Sequence, residues 1–126
     1  IKKINYITKI RIKNAKYLNS KLKSIKQIKL IKENNNFRSV YHLYQFFCEN
    51  RDKLNKFLRT NKIDSKIHYP KPLHLHDAAK IFNYKKGQFK NAEKLSKRVI
   101  SIPVHEYMNK NHLNLIINKI QKFYSL

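Results

Sequence analysis

One glycine in 126 residues, Gly87, constrains this chain more than any other feature. Glycine lets a backbone enter left-handed conformations and come close to a bound phosphate. The phosphate loops of dinucleotide-binding and P-loop proteins need several glycines at fixed spacing, so the chain holds no loop of either type. A phosphorylated cofactor handled here must find its main phosphate cradle in another segment or another chain. A chain this long suits one domain, which buries roughly two-thirds of its unfolded surface. The hydrophobic fraction of 41% supplies one core and leaves little for a second.

The lone cysteine, Cys48, excludes an internal disulfide framework and a Cys-based zinc site. Within the apolar run LYQFFC it reads as a buried structural thiol. The start, IKKINYITKIRIK, is charged throughout and lacks the apolar stretch of a secretion signal. No apolar run approaches the roughly 18 residues of a membrane span. A cytoplasmic chain with no membrane partner is the expectation. Its first residue is Ile rather than Met, as in a piece of something longer.

A formal charge of +22 invites a nucleic-acid reading. Two observations weigh against it. Lysines outnumber arginines 24 to 5, whereas bidentate recognition of phosphate and guanine leans on Arg. The lysines are also spread along the whole chain, with no block of like charge and no basic stripe interleaved with aromatics. Lys, Ile and Asn share A/T-rich codons, so a drifted genome explains the composition and leaves a mostly solvated lysine surface.

The apolar spacing outlines the elements. Ile4, Ile7, Ala15, Leu18, Leu22 and Ile25 lie at helical intervals with no Pro or Gly between them. IKLIKENNNFRS gives a short apolar segment and then the turn-forming triple Asn34-Asn35-Asn36. SVYHLYQFF, apolar on both faces, reads as a covered central strand that holds His42 and Tyr44 in the core. Asn50 is placed to cap a helix with Asp52 in its first turn and Leu54, Phe57 and Leu58 on its apolar face. DSKIHY reads as a strand ended by Pro70, which cannot donate to a ladder. Ala78, Ala79 and Phe82 suggest a short helix, and Ala92, Leu95 and Val99 another. VISIPV is a strand stopped at Pro103, and Asn109 caps a last helix with Leu113, Ile116, Ile117, Ile120 and Phe123 on one face. This order predicts an α+β domain, helices against a short, mostly antiparallel sheet.

Chemically capable residues gather in KIHYPKPLHLHDAAKIFNY, residues 66–84, with three of the six histidines and two of the three prolines. A metal site is one reading: His74 and His76 are spaced i, i+2, and His68 and Asp77 could add ligands. No HExxH pair or second cluster supports it. A self-contained hydrolase lacks a partnered nucleophile and facing carboxylates, with only seven acidic residues in the chain. The third reading is a rim of hydrogen-bonding groups, stiffened by Pro70 and Pro72, that orients a polar substrate rich in hydroxyls or phosphates.

The same residues carry a family resemblance. His68-Tyr69-Pro70, Pro72-Leu73-His74-Leu75, Phe89 with Ala92-Glu93, and Ile102-Pro103-Val104-His105 follow in the order seen near the C-terminus of DegT/DnrJ/StrS-type sugar aminotransferases. VYHLYQFFCENRDKLNKFL is similar to the family's His-x-Tyr strand and following helix, and RIKNAKYLNSKL to the helix that leads into its small domain. The resemblance implies the small C-terminal domain of a fold-type I enzyme using pyridoxal 5′-phosphate. It implies a helix over 1–25 leading in from a large domain and a small domain over 26–126.

In that family an amino group moves, usually from glutamate, onto a keto group of a nucleotide-linked sugar, in active sites formed between the two subunits of a homodimer. The Schiff-base lysine, the acidic partner of the pyridine nitrogen and the phosphate cradle lie in the large domain. The resemblance therefore assigns no catalytic residue and no metal ligand here, and this segment alone is expected to be inactive. Its part is to close the substrate cleft, with His68, Tyr69 and His74 binding substrate. His76, where a glutamine is common, is a secondary contact. The alternative is a stand-alone basic module whose affinity for nucleic acid or another polyanion falls steeply with salt.

Overall fold

The computed structural model describes residues 2–34 and 36–125. Helix α1, Ile4–Leu22, is the longest element, and Ala15, Leu18 and Leu22 on its inner face are fully buried. The expected face is real from Ala15 onward; Ile4 is exposed. Strands β1, Ile28–Leu30, β2, Tyr44–Cys48, and β3, Val99–Ile102, form one antiparallel sheet in the order β1-β2-β3. Helices α2, Arg51–Thr60, α3, Lys90–Ser96, and α4, Lys110–Tyr124, complete the α+β domain that the apolar spacing predicts. Among the described residues no helix is long and apolar enough to cross a membrane.

Alternation along β2 divides its side chains between two faces. Tyr44, Phe46 and Cys48 are buried, while Gln45 and Phe47 on the other face are half-buried. Ile102 and Ile100 on β3 stand opposite Tyr44 and Phe46, so both strands send their large side chains into one core. α1, α2 and α4 cover that core with Leu18, Leu22, Leu54, Leu58, Ile117 and Ile120. Polar contacts fix α1 to the end of the chain: Tyr17 donates to Asn114 Oδ1 at 2.7 Å, and Asn14 donates to the His105 carbonyl at 3.0 Å. Asn109 caps α4 as expected, accepting from the His112 N–H at 3.0 Å, while the Asn109 N–H donates to His112 Nδ1.

Several local expectations give way. β2 starts at Tyr44, not at Ser39, because Tyr41 takes a left-handed φ of 50° that breaks the extended path. His42 and Leu43 are therefore exposed, and only Tyr44 of the His-x-Tyr pair enters the core. DSKIHY forms no strand; Lys66 alone bridges to Ser101, through reciprocal backbone bonds of 3.0 and 2.8 Å. Ser65, fully buried, turns its hydroxyl to Asn55 Oδ1 at 2.8 Å, and the prolines then carry the chain away from the ladder. Asn50 precedes α2 as predicted, but in a left-handed conformation and without a side-chain cap. α3 stops at Ser96, which leaves Val99 to open β3. The short helix at Ala78 is a 3-10 helix, Asp77–Phe82, preceded by another over Leu73–Leu75. The asparagine turn is closed by the Phe37 N–H donating to the Asn34 carbonyl at 2.9 Å; Asn35 lies outside the described residues.

Gly87 sits at φ 97°, and nothing lies within 4 Å of where a Cβ would stand, so the position requires the angle rather than the space. Two outcomes are expected. Phe46→Ala should lower stability to urea by about 3–5 kcal/mol, with a clearly smaller loss for the half-buried Phe47→Ala. Gly87→Ala should cost about 1–2 kcal/mol of local stability, seen as faster amide exchange in residues 84–89 with the exchange of α4 unchanged.

Candidate functional site

The outer face of the sheet carries the site. Gln45 and Ser101 stand directly opposite each other on β2 and β3, and Gln45 Nε2 donates to Ser101 Oγ at 3.1 Å. These are single polar residues inside apolar strands, and their register puts both on the face away from the core. Each also holds His68. Gln45 Nε2 donates to the His68 carbonyl at 3.2 Å, and His68 Nδ1 lies 2.9 Å from Ser101 Oγ. A serine hydroxyl can donate to Nδ1 or accept from it, so Nδ1 is spent in either tautomer and Nε2 is the nitrogen left for a ligand. The next residue, Tyr69, is 72% exposed, with its ring edge-on to the imidazole at 5.7 Å.

His68 separates two hollows. One, of about 260 Å³, lies between the sheet residues Phe47 and Val99 and the loop residues Tyr69, Lys71, Pro72 and Leu73. The other, of about 240 Å³, is bordered by Arg11, His42, Lys66, His105 and Asp64. Arg11 is already paired with Glu106 at 3.3 Å and Lys66 with Asp64 at 3.3 Å, so this hollow is basic but partly compensated. His42, read from sequence as core, and His105 both stand at its edge.

The remaining histidines of the stretch turn inward or back. The His74 side chain is 7% exposed; its Nε2 lies 3.1 Å from Glu93 Oε1, and its ring packs on Phe89 at 4.7 Å. The same Glu93 oxygen accepts from the Gly87 N–H at 2.7 Å. That backbone donor foremost, and His74 after it, hold the Glu93 carboxyl below the usual carboxylate range against a partial opposing effect of desolvation. A lowered carboxyl pKa stabilises the fold fully above the unfolded value, and the contribution fades as pH falls through the folded one. His76 is exposed and its Nε2 lies 3.0 Å from the Lys71 carbonyl, closing the loop on itself. Among the described residues, no three His, Cys, Asp or Glu side chains converge as a metal site.

Thus the loop brings His68 and Tyr69 to one open rim, with His74 behind it and His76 on the outside. Sequence reasoning missed Gln45 and Ser101. The signal was present, a lone polar residue in each of two apolar strands, but it speaks only once the register is known.

Residues 1–121 match the model of the DegT/DnrJ/EryC1/StrS aminotransferase family. The erythromycin biosynthesis sensory transduction protein EryC1 of Saccharopolyspora erythraea is 31% identical over 103 residues, which are 82% of this chain and 28% of that protein. The dTDP-3-amino-3,4,6-trideoxy-alpha-D-glucose transaminase of Streptomyces venezuelae is 29% identical over 84 residues, 67% of this chain and 22% of that protein. The crystal structure of S. venezuelae DesV in complex with a ketimine intermediate aligns with a TM-score of 0.92 at 24% identity, covering 97% of this chain and 33% of that one, a likeness of fold. The chain spans a third or less of the length of each of these three proteins. With its motifs in the family's order and the match running through nearly all of its residues, the chain belongs to the DegT/DnrJ/EryC1/StrS aminotransferase family.

Proposed function

We propose that this chain is the small, cleft-closing part of a pyridoxal phosphate-dependent aminotransferase that passes an amino group from glutamate to a keto group of a nucleotide-linked sugar. The observation that carries the reading is the preset His68. Its Nδ1 and its carbonyl are both engaged by the sheet, which leaves Nε2 uncommitted, and the neighbouring Tyr69 is exposed with its ring edge-on to the imidazole. A ring fixed in this way meets a sugar hydroxyl without first losing its own rotational freedom. The basic hollow beside it suits an anionic group, a nucleotide phosphate or the carboxylate of the amino donor. A relative named as a dTDP-sugar transaminase points to the same substrate class.

The rim does not assemble a pyridoxal phosphate site. Such a site needs a lysine amine for the cofactor aldehyde, an acid for the ring nitrogen and a phosphate cradle. Here Lys66 is tied to Asp64 in a largely exposed pair, and the single glycine lies elsewhere in the loop. We therefore assign the cofactor chiefly to a large domain outside this chain, with α1 leading in from it, and the working enzyme to a homodimer. His68 and Tyr69 then bind and orient the sugar, His74 supports the rim from behind, His76 is a secondary contact, and the loop excludes water from one side of the cleft.

Expression of the full reading frame that contains this chain tests the proposal. The product should be yellow from bound cofactor and should bind dTDP-glucose, used as an unreactive nucleotide sugar. Tyr69→Phe should weaken that binding about fivefold, the size of one net hydrogen bond, and His68→Ala by more. A colourless product that ignores dTDP-glucose but binds polyanions with steep salt dependence would sink the reading.

A further inference from the structure

The rim has an unusual foundation. From residue 66 to residue 95 no residue is buried, although Leu73, Ile81 and Phe82 are large and apolar. Packing into the core therefore does not hold this segment in place. Its backbone hydrogen bonds beyond the Lys66 bridge are local, from Leu75 to Pro72, His76 to Leu73, Ala79 to His76, Asn83 to Lys80 and Gln88 to Lys85. The His76 bond to the Lys71 carbonyl, the Lys80–Asp77 pair and the Gln88 bond to the Lys85 N–H also stay within the loop.

Two ties reach outside. At the start, His68 is held by Gln45 and Ser101. After it, among the described residues, each hydrogen bond that joins residues 70–88 to a regular element ends on one atom, Glu93 Oε1 of α3. That oxygen takes His74 at 3.1 Å and the Gly87 N–H at 2.7 Å. The arc that carries Tyr69 lies between the His68 tie and this one. With the Glu93 tie gone, only the chain's own entry into α3 at Lys90 would hold the arc beyond His68.

We propose that Glu93 is a positioning residue for the rim: by gripping His74 and the Gly87 N–H together, its carboxylate sets where Tyr69 stands when substrate arrives. The role needs an acceptor oxygen on a side chain of this length, and either tautomer or charge state with a proton on His74 Nε2 satisfies it. Gly87 belongs to the same device. Its left-handed φ of 97° is the conformation in which this turn delivers its N–H to Glu93. The inference rests on the substrate reading above, and its test separates the two.

The test uses the full-frame protein, amide exchange of Gly87 by NMR and titration with dTDP-glucose. Glu93→Ala should speed Gly87 exchange by about tenfold or more and weaken dTDP-glucose binding about tenfold, with the α4 amides still protected. Glu93→Gln, which keeps the acceptor oxygen, should hold both quantities within about twofold of the parent. If Glu93→Ala does not fold, His74→Phe, which keeps a ring on Phe89 but removes the donor, should show the same loss of affinity. A loosened Gly87 with unchanged affinity overturns the positioning role and leaves the substrate reading standing. An unchanged Gly87 in Glu93→Ala overturns the grip itself. If the parent protein does not bind dTDP-glucose, the substrate reading falls first and takes the positioning role with it.

Discussion

The register of β2 against β3 is the constraint on which the rest of this structure depends. Pairing Tyr44 with Ile102 and Phe46 with Ile100 puts four large side chains on the core face. The same pairing sets Gln45 against Ser101 on the other face, where they meet and hold His68. A slip of β2 by one residue would reverse its faces, turning the Gln45 amide toward the core and the Tyr44 and Phe46 rings away from it. Burial therefore selects the register, and the register builds the seat for the candidate site. The hydrophobic effect does not act on His68 directly, yet it decides where the imidazole stands.

Beyond that seat the mode of support changes. The helices and sheet are held by a contiguous apolar core, but residues 66–95 contribute no side chain to that core and depend on a few polar ties. Such ties are geometrically demanding and individually weak, so a segment built on them can be well placed while remaining among the less stable parts of the domain. That suits a rim meant to meet a ligand. The exposed Leu73, Ile81 and Phe82 also have something to gain from a neighbouring surface.

The sequence made the helices legible because their signals are local. α4 announces itself through Asn109 and four apolar residues at helical spacing, and α2 through Leu54 and Leu58. Strand boundaries were less legible. SVYHLYQFF reads as one apolar run, yet a left-handed Tyr41 cuts it, and β-branched or aromatic residues give little warning of such a break. DSKIHY has the composition of a strand but pairs at Lys66 alone, because the sheet edge is used by a single bridge and the prolines follow. The site was legible in part. The His and Tyr content of residues 66–84 marks the loop, while the partners Gln45, Ser101 and Glu93 come from three other segments that only the fold brings together.

The charge of the chain also reads differently once residues have positions. Arginine is scarce, and two of the five carry specific structural contacts. Arg51 is buried and donates to the carbonyls of Ser96 and Val99, both at 3.1 Å, locking α2 to the junction of α3 and β3. Arg11 donates to Glu106 from both Nε and Nη2, joining α1 to the segment that follows Pro103. The Arg11 contact uses two nitrogens of the planar guanidinium at once, an arrangement lysine does not offer. Among the described residues the lysines that pair, Lys66 and Lys80, do so in exposed bridges of the kind that contributes little. Arg11 and Arg51 stand where two parts of the fold meet, while Arg38 and Arg59 are exposed like most of the lysines. A net charge of +22 is thus made of a few arginines fixed in contacts and many lysines spread along the chain.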